Sequence, residues 1–362
     1  MSDIESSSSG PTGSELNPPD DLTLRPGLVT ARAIVMPVAT VLLIGLVFVS
    51  VYLSAFHQPR PHNLPLGVVG SAVQATQVAD GLGANAPGSF AVTRYDDAAA
   101  AVSALRHRDI YGALDLTGGA PRLLYAGANG PSVESLLTTV FGAEAAAHHE
   151  RLATVDVRPA AAGDSRCLSI FYTTFGLVLA GFLFGLTTYQ AAPRLSFDMR
   201  LVSLLLFGVL GGALTVLIAG TGFGALPGPF TAEAGLVALV AISVGAVTML
   251  IVRVAGRAGI AVGSITLLTF GNATSGGVLP ACFLPGWLRP LSYILPPGVG
   301  VRAIDGVAYF GNAGLAEGTA ILAGWVIVPL LVIYLLDEVR LRRSEQDQHR
   351  PARHARVSVV MK

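Results

Sequence analysis

From Ala33 to Ala55 the chain reads AIVMPVATVLLIGLVFVSVYLSA, without a single charge. About 20 apolar residues suffice to cross a bilayer as a helix. The apolar core of a cleaved leader is shorter, roughly 7–15 residues, so residues 33–55 read as a first transmembrane helix. Charge-free stretches return at Leu168–Tyr189, Leu201–Thr221, Ala234–Val252 and Leu315–Leu336. Between the last two lies Ala258–Phe270, apolar but too short to cross comfortably. It leads directly into FGNATSGGVLPACFLPGW, Phe270–Trp287. Counting that broken segment as one helix gives six spans.

Residues 56–166 follow another rhythm. LPLGVVG and SFAVTRYDD read as strands, and AAAAVSALRHRD is built of strong helix formers. IYGALDLT and APRLLYAG predict two strands joined by a Gly-Gly turn. SVESLLTTVFGAEAAAHHERL predicts a long helix with Ser132 as N-cap, and ATVDVRP a last strand. This is the pattern of a small α/β domain. Residues 1–28, rich in Ser, Gly, Pro, Asp and Glu, have too little apolar surface to offset their ordering entropy and read as a disordered tail.

The arginines set the orientation, because Lys and Arg in short loops are retained on the cytoplasmic side. Arg194 and Arg200 follow the second span and Arg253 and Arg257 the fourth, while the loop after the third, GFGALPGPF, is uncharged. The C-terminal tail, residues 337–362, is strongly basic. One arrangement satisfies all of these: both termini cytoplasmic and residues 56–166 outside. The fold class expected is therefore an α-helical polytopic membrane protein of six spans, the fifth broken and re-entrant, with a small external α/β domain. Composition agrees: 52% of residues are hydrophobic and 13% charged, against roughly 25% charged in soluble domains. The formal net charge is zero, which gives no reason to expect nucleic acid as a partner.

The segment 271–311 must leave and return on the outer face, yet it carries Val278, Leu279, Phe283, Leu284, Leu291 and Ile294. Pro280, Pro285, Pro290, Pro296 and Pro297 forbid one continuous helix. Irregular backbone at membrane depth survives only when buried in protein or lining a wet cavity. We therefore expect one or two short helices dipping into the outer leaflet, with Trp287 and Tyr293 at headgroup level. Gly271, Asn272, Thr274, Ser275, Gly276 and Gly277 would form the unwound top of the fifth span.

Catalytic signatures are absent: there is no G-x-x-x-x-G-K-[ST], G-x-S-x-G or H-E-x-x-H, so no enzyme activity and no cofactor are expected. Glu144, His148 and His149 supply fewer ligands than the about four of a closed zinc site and read as a solvated helix end. The two cysteines, Cys167 and Cys282, read as unpaired apolar thiols, with a bridge as the alternative. Glu233, in the first turn of the fourth span, complements the helix dipole. Asn272-Ala273-Thr274 matches a glycosylation sequon by accident, too near the bilayer for use. Gly181-x-x-x-Gly185 and Gly259-x-x-x-Gly263 have helix-packing spacing, within the chain or between copies. Arg302 and Asp305, three apart, are expected to pair locally.

The motif P-x-W-L-x-P-L-S-x-x-L-P, as it stands at Pro285–Pro296, and the order of one span, an α/β domain and five spans resemble the membrane subunits of ABC-2 type exporters. The stretch FGNATSGGVLPACFLPGWLRPLSYILPPGVGVRAIDGVAYFG, with YGALDL and LLYAGAN earlier, is more closely similar to the YhgE/Pip-like branch. The likeness covers roughly residues 33–340. It implies a homodimeric or heterodimeric permease in contact with membrane lipid, moving a hydrophobic or envelope-related substrate outward, with an ATP-binding subunit on a separate chain. The candidate coupling loop is AAPRLSFDMR, in which Phe197 stands as an aromatic anchor between Arg194 and Arg200. A surface scaffold of envelope assembly is the alternative that this branch implies.

Orientation can be tested directly. In a chain lacking Cys167 and Cys282, Ala98→Cys should react with an impermeant thiol reagent applied to intact cells, and Ser196→Cys should not; outside labelling of Ser196→Cys overturns the assignment.

Overall fold

A computed structural model describes residues 26–147, 149–256 and 258–348. Five helices are long and apolar enough to cross a membrane: Ala33–Phe56, Ser169–Ala191, Phe197–Gly222, Phe230–Ala255 and Leu315–Arg340. A sixth apolar helix, Ala258–Gly271, is shorter. The protein is a helical multi-pass membrane protein. The chain divides after Gly45 into two compact units. The first, as described from Pro26, is the leading part of helix α1 (Pro26–Phe56); the second holds everything after it.

Within the second unit, residues 64–156 form a five-stranded sheet in the order β2-β1-β3-β4-β5. The strands are β1 (Leu64–Val69), β2 (Phe90–Tyr95), β3 (Gly112–Asp115), β4 (Arg122–Tyr125) and β5 (Ala153–Asp156). β1 runs parallel to β2 and β3, β3 antiparallel to β4, and β4 parallel to β5. Strand side chains alternate between faces, and both faces are apolar here. Leu64, Leu66, Val68, Leu114 and Leu123 pack beneath α2 (Ala72–Asn85) and α4 (Pro131–Ala147). Val69, Ala113 and Leu124 meet α3 (Ala98–Arg106) on the other side.

The helix α2 is not foreseen by the reading above. Its start is a capping box in which the Ser71 hydroxyl accepts from Gln74 N and the Gln74 carboxamide accepts from Ser71 N, a signature present in the sequence. Helix α4 begins at Pro131, so Ser132 lies in its first turn and is not the N-cap. Proline supplies the start, because its fixed φ suits N1 and its missing N–H is not needed there.

Helix α7 (Phe230–Ala255) is the centre of the membrane-spanning part, packed against α5 (Ser169–Ala191), α6 (Phe197–Val216, continued by a π-helical turn to Gly222) and α11 (Leu315–Gln348). Small residues let the backbones approach. A β-carbon on Gly181 would stand 2.8 Å from Ala241 O, one on Gly185 2.5 Å from Thr248 Cβ, and one on Gly212 2.5 Å from Ala234 O. Gly181 and Gly185 therefore serve packing within the chain. Gly259 and Gly263 do likewise, against Ile251 and the Phe182 ring. Outward, α6 presents Val202, Leu206, Val209, Leu210 and Leu214, all more than half exposed, a surface suited to lipid.

Two terminal boundaries differ from expectation. Residues 26–28 are the first turn of α1, and the remainder of the expected tail lies outside the described residues. Helix α11 continues to Gln348, twelve residues beyond the expected end at Leu336; mean hydropathy falls there, but Asp337, Glu338, Arg340 and Arg342 are compatible with a solvated helix, and Arg342 pairs with Glu338 at i,i+4.

Candidate functional site

The short helix α8 (Ala258–Gly263) runs on as a π-helix, Ser264–Gly271, and stays helical through Ala273. Gly271 and Asn272 are thus helical, and unwinding begins at Thr274, later than the composition suggests. The polar side chains bond back onto this helix: Asn272 Nδ2 donates to Leu268 O at 3.0 Å, and Thr274 Oγ1 to Phe270 O at 2.7 Å, a carbonyl that also accepts from Thr274 N. Ser275 Oγ accepts from Gly277 N. All three side chains are buried. Asn272 is engaged and enclosed, so the sequon is closed to glycosylation.

Gly276 then turns the chain with φ +79°, and Gly277 lies against α5, where a β-carbon would stand 2.7 Å from Phe171 Cβ. Pro280 leads a 3₁₀ turn, Ala281–Phe283, and Pro285 carries the chain past Trp287. Pro290 opens α9 (Arg289–Ile294), and Pro296 and Pro297 open α10 (Pro296–Ala308). The prolines start elements here as much as they break them. Trp287 is 57% exposed and Tyr293 42%, whereas Leu279 and Phe283 extend the α4-side cluster of the sheet. Ala273, Ala281, Leu284 and Leu288 pack around Val51 and Ala55 of α1.

Between this segment and the α/β layer lies a largely buried ion pair. Arg108, in the turn after α3 with φ +63°, donates from Nη1 to Asp305 Oδ2 of α10 at 3.0 Å. Its guanidinium lies 5.0 Å from the centre of the Phe310 ring. Burial works against the Arg108 charge, but Asp305 and Tyr111 outweigh it and raise its pKa. Burial pushes the neighbouring Tyr111 phenol up to about 12. The expected local pair is thus corrected: Asp305 is taken by Arg108, and Arg302 stacks 4.2 Å over the Tyr293 ring. A helix turn brings residues three apart onto one face, but a desolvated carboxylate pairs with the cation buried beside it.

Further bonds fasten the junction. His62 N donates to Cys282 O at 2.8 Å, and Arg289 Nη2 to His62 O at 3.2 Å. Ala161 N donates to Tyr309 Oη at 3.2 Å. Asp164, buried, accepts from Leu168 N and Ser169 N and so caps α5. Two cavities flank the ion pair. One, about 250 Å³, is lined by Asn129, Ser132, Arg166, Cys167, Gly276 and Asp305 among others. The second, about 200 Å³, is bordered by His107, Arg108, Tyr111, Ser292, Tyr293 and Arg302. Both cysteines are free. Burial pushes the Cys167 thiol up to about 11, and its Sγ–H donates to Gly127 O at 3.4 Å.

The loop between α5 and α6 is built differently from a free docking surface. Arg200 is buried: its guanidinium donates to the carbonyls of Leu195, Thr188, Ala192 and Pro193 and stacks 4.1 Å from the Tyr189 ring. It closes the end of α5 from within. Phe197 meets Tyr334 of α11 edge-on. Arg194 is exposed. Nearby, Arg253 binds Asp337 and ties α7 to α11. Glu233 is buried and accepts from Gly228 N at 2.8 Å, a structural use at the start of α7. His148 lies outside the described residues, and these hold no group of three metal-binding side chains.

Comparison with protein-family models, curated proteins and solved structures finds no match.

Gly277→Leu should destabilise the detergent-solubilised protein by about 1–3 kcal/mol, the usual range for overpacking, whereas Gly286→Leu, facing open space, should be neutral. Equal thermal midpoints for the two variants would remove the tight contact with Phe171.

Proposed function

We propose that the chain is the membrane-spanning permease subunit of an ABC-2-like exporter. In this reading α8 with its π-helical continuation is a fifth span, giving six, and both termini are cytoplasmic in a bacterial cell membrane. The α/β layer stands outside, the subunit works as a homodimer or heterodimer, and a separate ATP-binding subunit drives a hydrophobic or envelope-related substrate outward. The observation that carries the reading is the broken helix Ala258–Gly271 continuing into two short proline-led helices before a last long span, the arrangement that the resemblance implies. Its polar end is satisfied internally, as non-helical backbone at membrane depth must be.

Coupling to the ATP-binding subunit needs revision in one respect. Arg200 is spent on its own loop, so the contact surface becomes Arg194 with the groove of about 550 Å³ along Leu195, Phe197, Tyr334, Asp337 and Arg340. The internal use of Arg200 favours a second reading, a YhgE/Pip-like scaffold of envelope assembly whose α/β layer binds partners and whose inner loop drives nothing.

Phe197→Ala separates the two. For a permease, the variant should insert normally while export and substrate-stimulated ATP hydrolysis in the reconstituted complex fall severalfold. Unchanged export would remove the loop from the mechanism, and failure of an ATP-hydrolysing chain to co-purify with the parent from native membranes would favour the scaffold.

A further inference from the structure

The cavity on the Tyr293 side of the ion pair has an unusual wall. Among the described residues that line it there is no carboxylate, but there are several donors. Ser292 is fully buried and its Oγ has no hydrogen-bond partner. Arg302 Nε and Arg108 Nε are also buried without partners. Arg108 has its charge met by Asp305, which does not line this cavity. Among the described residues Arg302 has no ion-pair partner; the exposed Glu317 acts on it only from a distance. His107 and Tyr111 complete the polar wall, while Pro280, Ala281 and Ala313 supply the apolar part.

Buried donors left unmade are costly, about 1–3 kcal/mol each and more for charged groups, and native proteins leave few of them. A hydroxyl, the edge of the Arg108 guanidinium and the stacked, unpaired Arg302 lining one small volume whose described wall holds no carboxylate call for an acceptor-rich anion. Arg forks suit tetrahedral oxyanions. Tyr293 in the wall is partly exposed and stacked under Arg302.

We propose that this cavity binds a phosphate group, with Arg302 and Ser292 as its principal ligands. A glycerophospholipid headgroup and a phosphate-bearing solute share this chemistry, and the test distinguishes them. The site is independent of the exporter reading, since it is read out without ATP or transport.

The full chain, purified in a neutral detergent, is titrated with dioctanoyl phosphatidic acid and, in parallel, with dioctanoylglycerol, which lacks the phosphate. The acid should bind saturably, one per chain, and the glycerol should not. Arg302→Gln should weaken binding about tenfold or more, the equivalent of one charge-assisted contact. Arg302→Lys should fall between, and Ser292→Ala should weaken it severalfold. Arg151→Gln, at an exposed site outside the cavity, should bind as the parent does. Ser292→Ala gives up no hydrogen bond of the free protein, so its folding is not at risk if Arg302→Gln fails to fold. Displacement of the lipid by millimolar inorganic phosphate, itself sensitive to Arg302→Gln, would assign the site to a free solute; no displacement would assign it to a headgroup. The proposal is overturned if no saturable binding occurs, or if Arg302→Gln and Ser292→Ala bind as tightly as the parent; the cavity then holds only water.

Discussion

A charge pair removed from water is tolerated only when each partner answers the other, because desolvation alone costs several kcal/mol per ion. Arg108 and Asp305 are 197 residues apart in sequence and meet at 3.0 Å with little solvent on either. The turn that follows α3 and the helix α10 are therefore bound to one relative position: separating them leaves both charges stranded. The rest of the junction is arranged around that contact. Phe310 faces the guanidinium, Tyr111 adds a polar neighbour, and the hydrogen bonds donated by His62 N, Arg289 Nη2 and Ala161 N lie around the same seam. Leu279 and Phe283 add apolar contact with the α/β layer.

The second constraint is the accounting of backbone groups where helices stop. The start of α5 and the loop between α5 and α6 are each finished by a buried polar side chain, Asp164 and Arg200, and at the end of the π-helix Asn272 and Thr274 turn their polar groups back onto the helix's own carbonyls. In an aqueous loop these tasks fall to water. In a low-dielectric setting an unmet carbonyl costs several kcal/mol, which explains why polar residues appear inside otherwise apolar stretches. The Asn/Thr/Ser run after Phe270 is thus a helix terminus, with Gly276 supplying the turn beyond it.

Much of this was legible in the sequence because it is local. Charge-free length marked the five long helices, short β-prone runs bounded by turn residues marked all five strands, and the prolines marked that the segment after Gly271 could not be one continuous helix. What was missed is either a pattern passed over or a contact without local trace. The capping box at Ser71 and Gln74 belongs to the first kind. Arg108 belongs to the second: nothing in RHRD distinguishes it from Arg106, and its partner is defined only once the fold brings α10 to it. The same holds for Arg200, whose position between two spans suggested a topological or docking role, whereas its geometry is that of a clamp on four carbonyls. Spacing favoured Arg302 for Asp305; burial and direction chose Arg108.

The most direct test of this account is a double-mutant cycle on the pair, using Arg108→Met and Asp305→Leu and following thermal or denaturant unfolding of the full chain. Each single substitution should destabilise by about 3–5 kcal/mol, because it leaves one buried charge unanswered, and the double variant should regain most of that loss, as replaced buried pairs do. Single variants close to the parent, or losses that simply add in the double variant, would contradict the claim that this pair holds the α/β layer on α10.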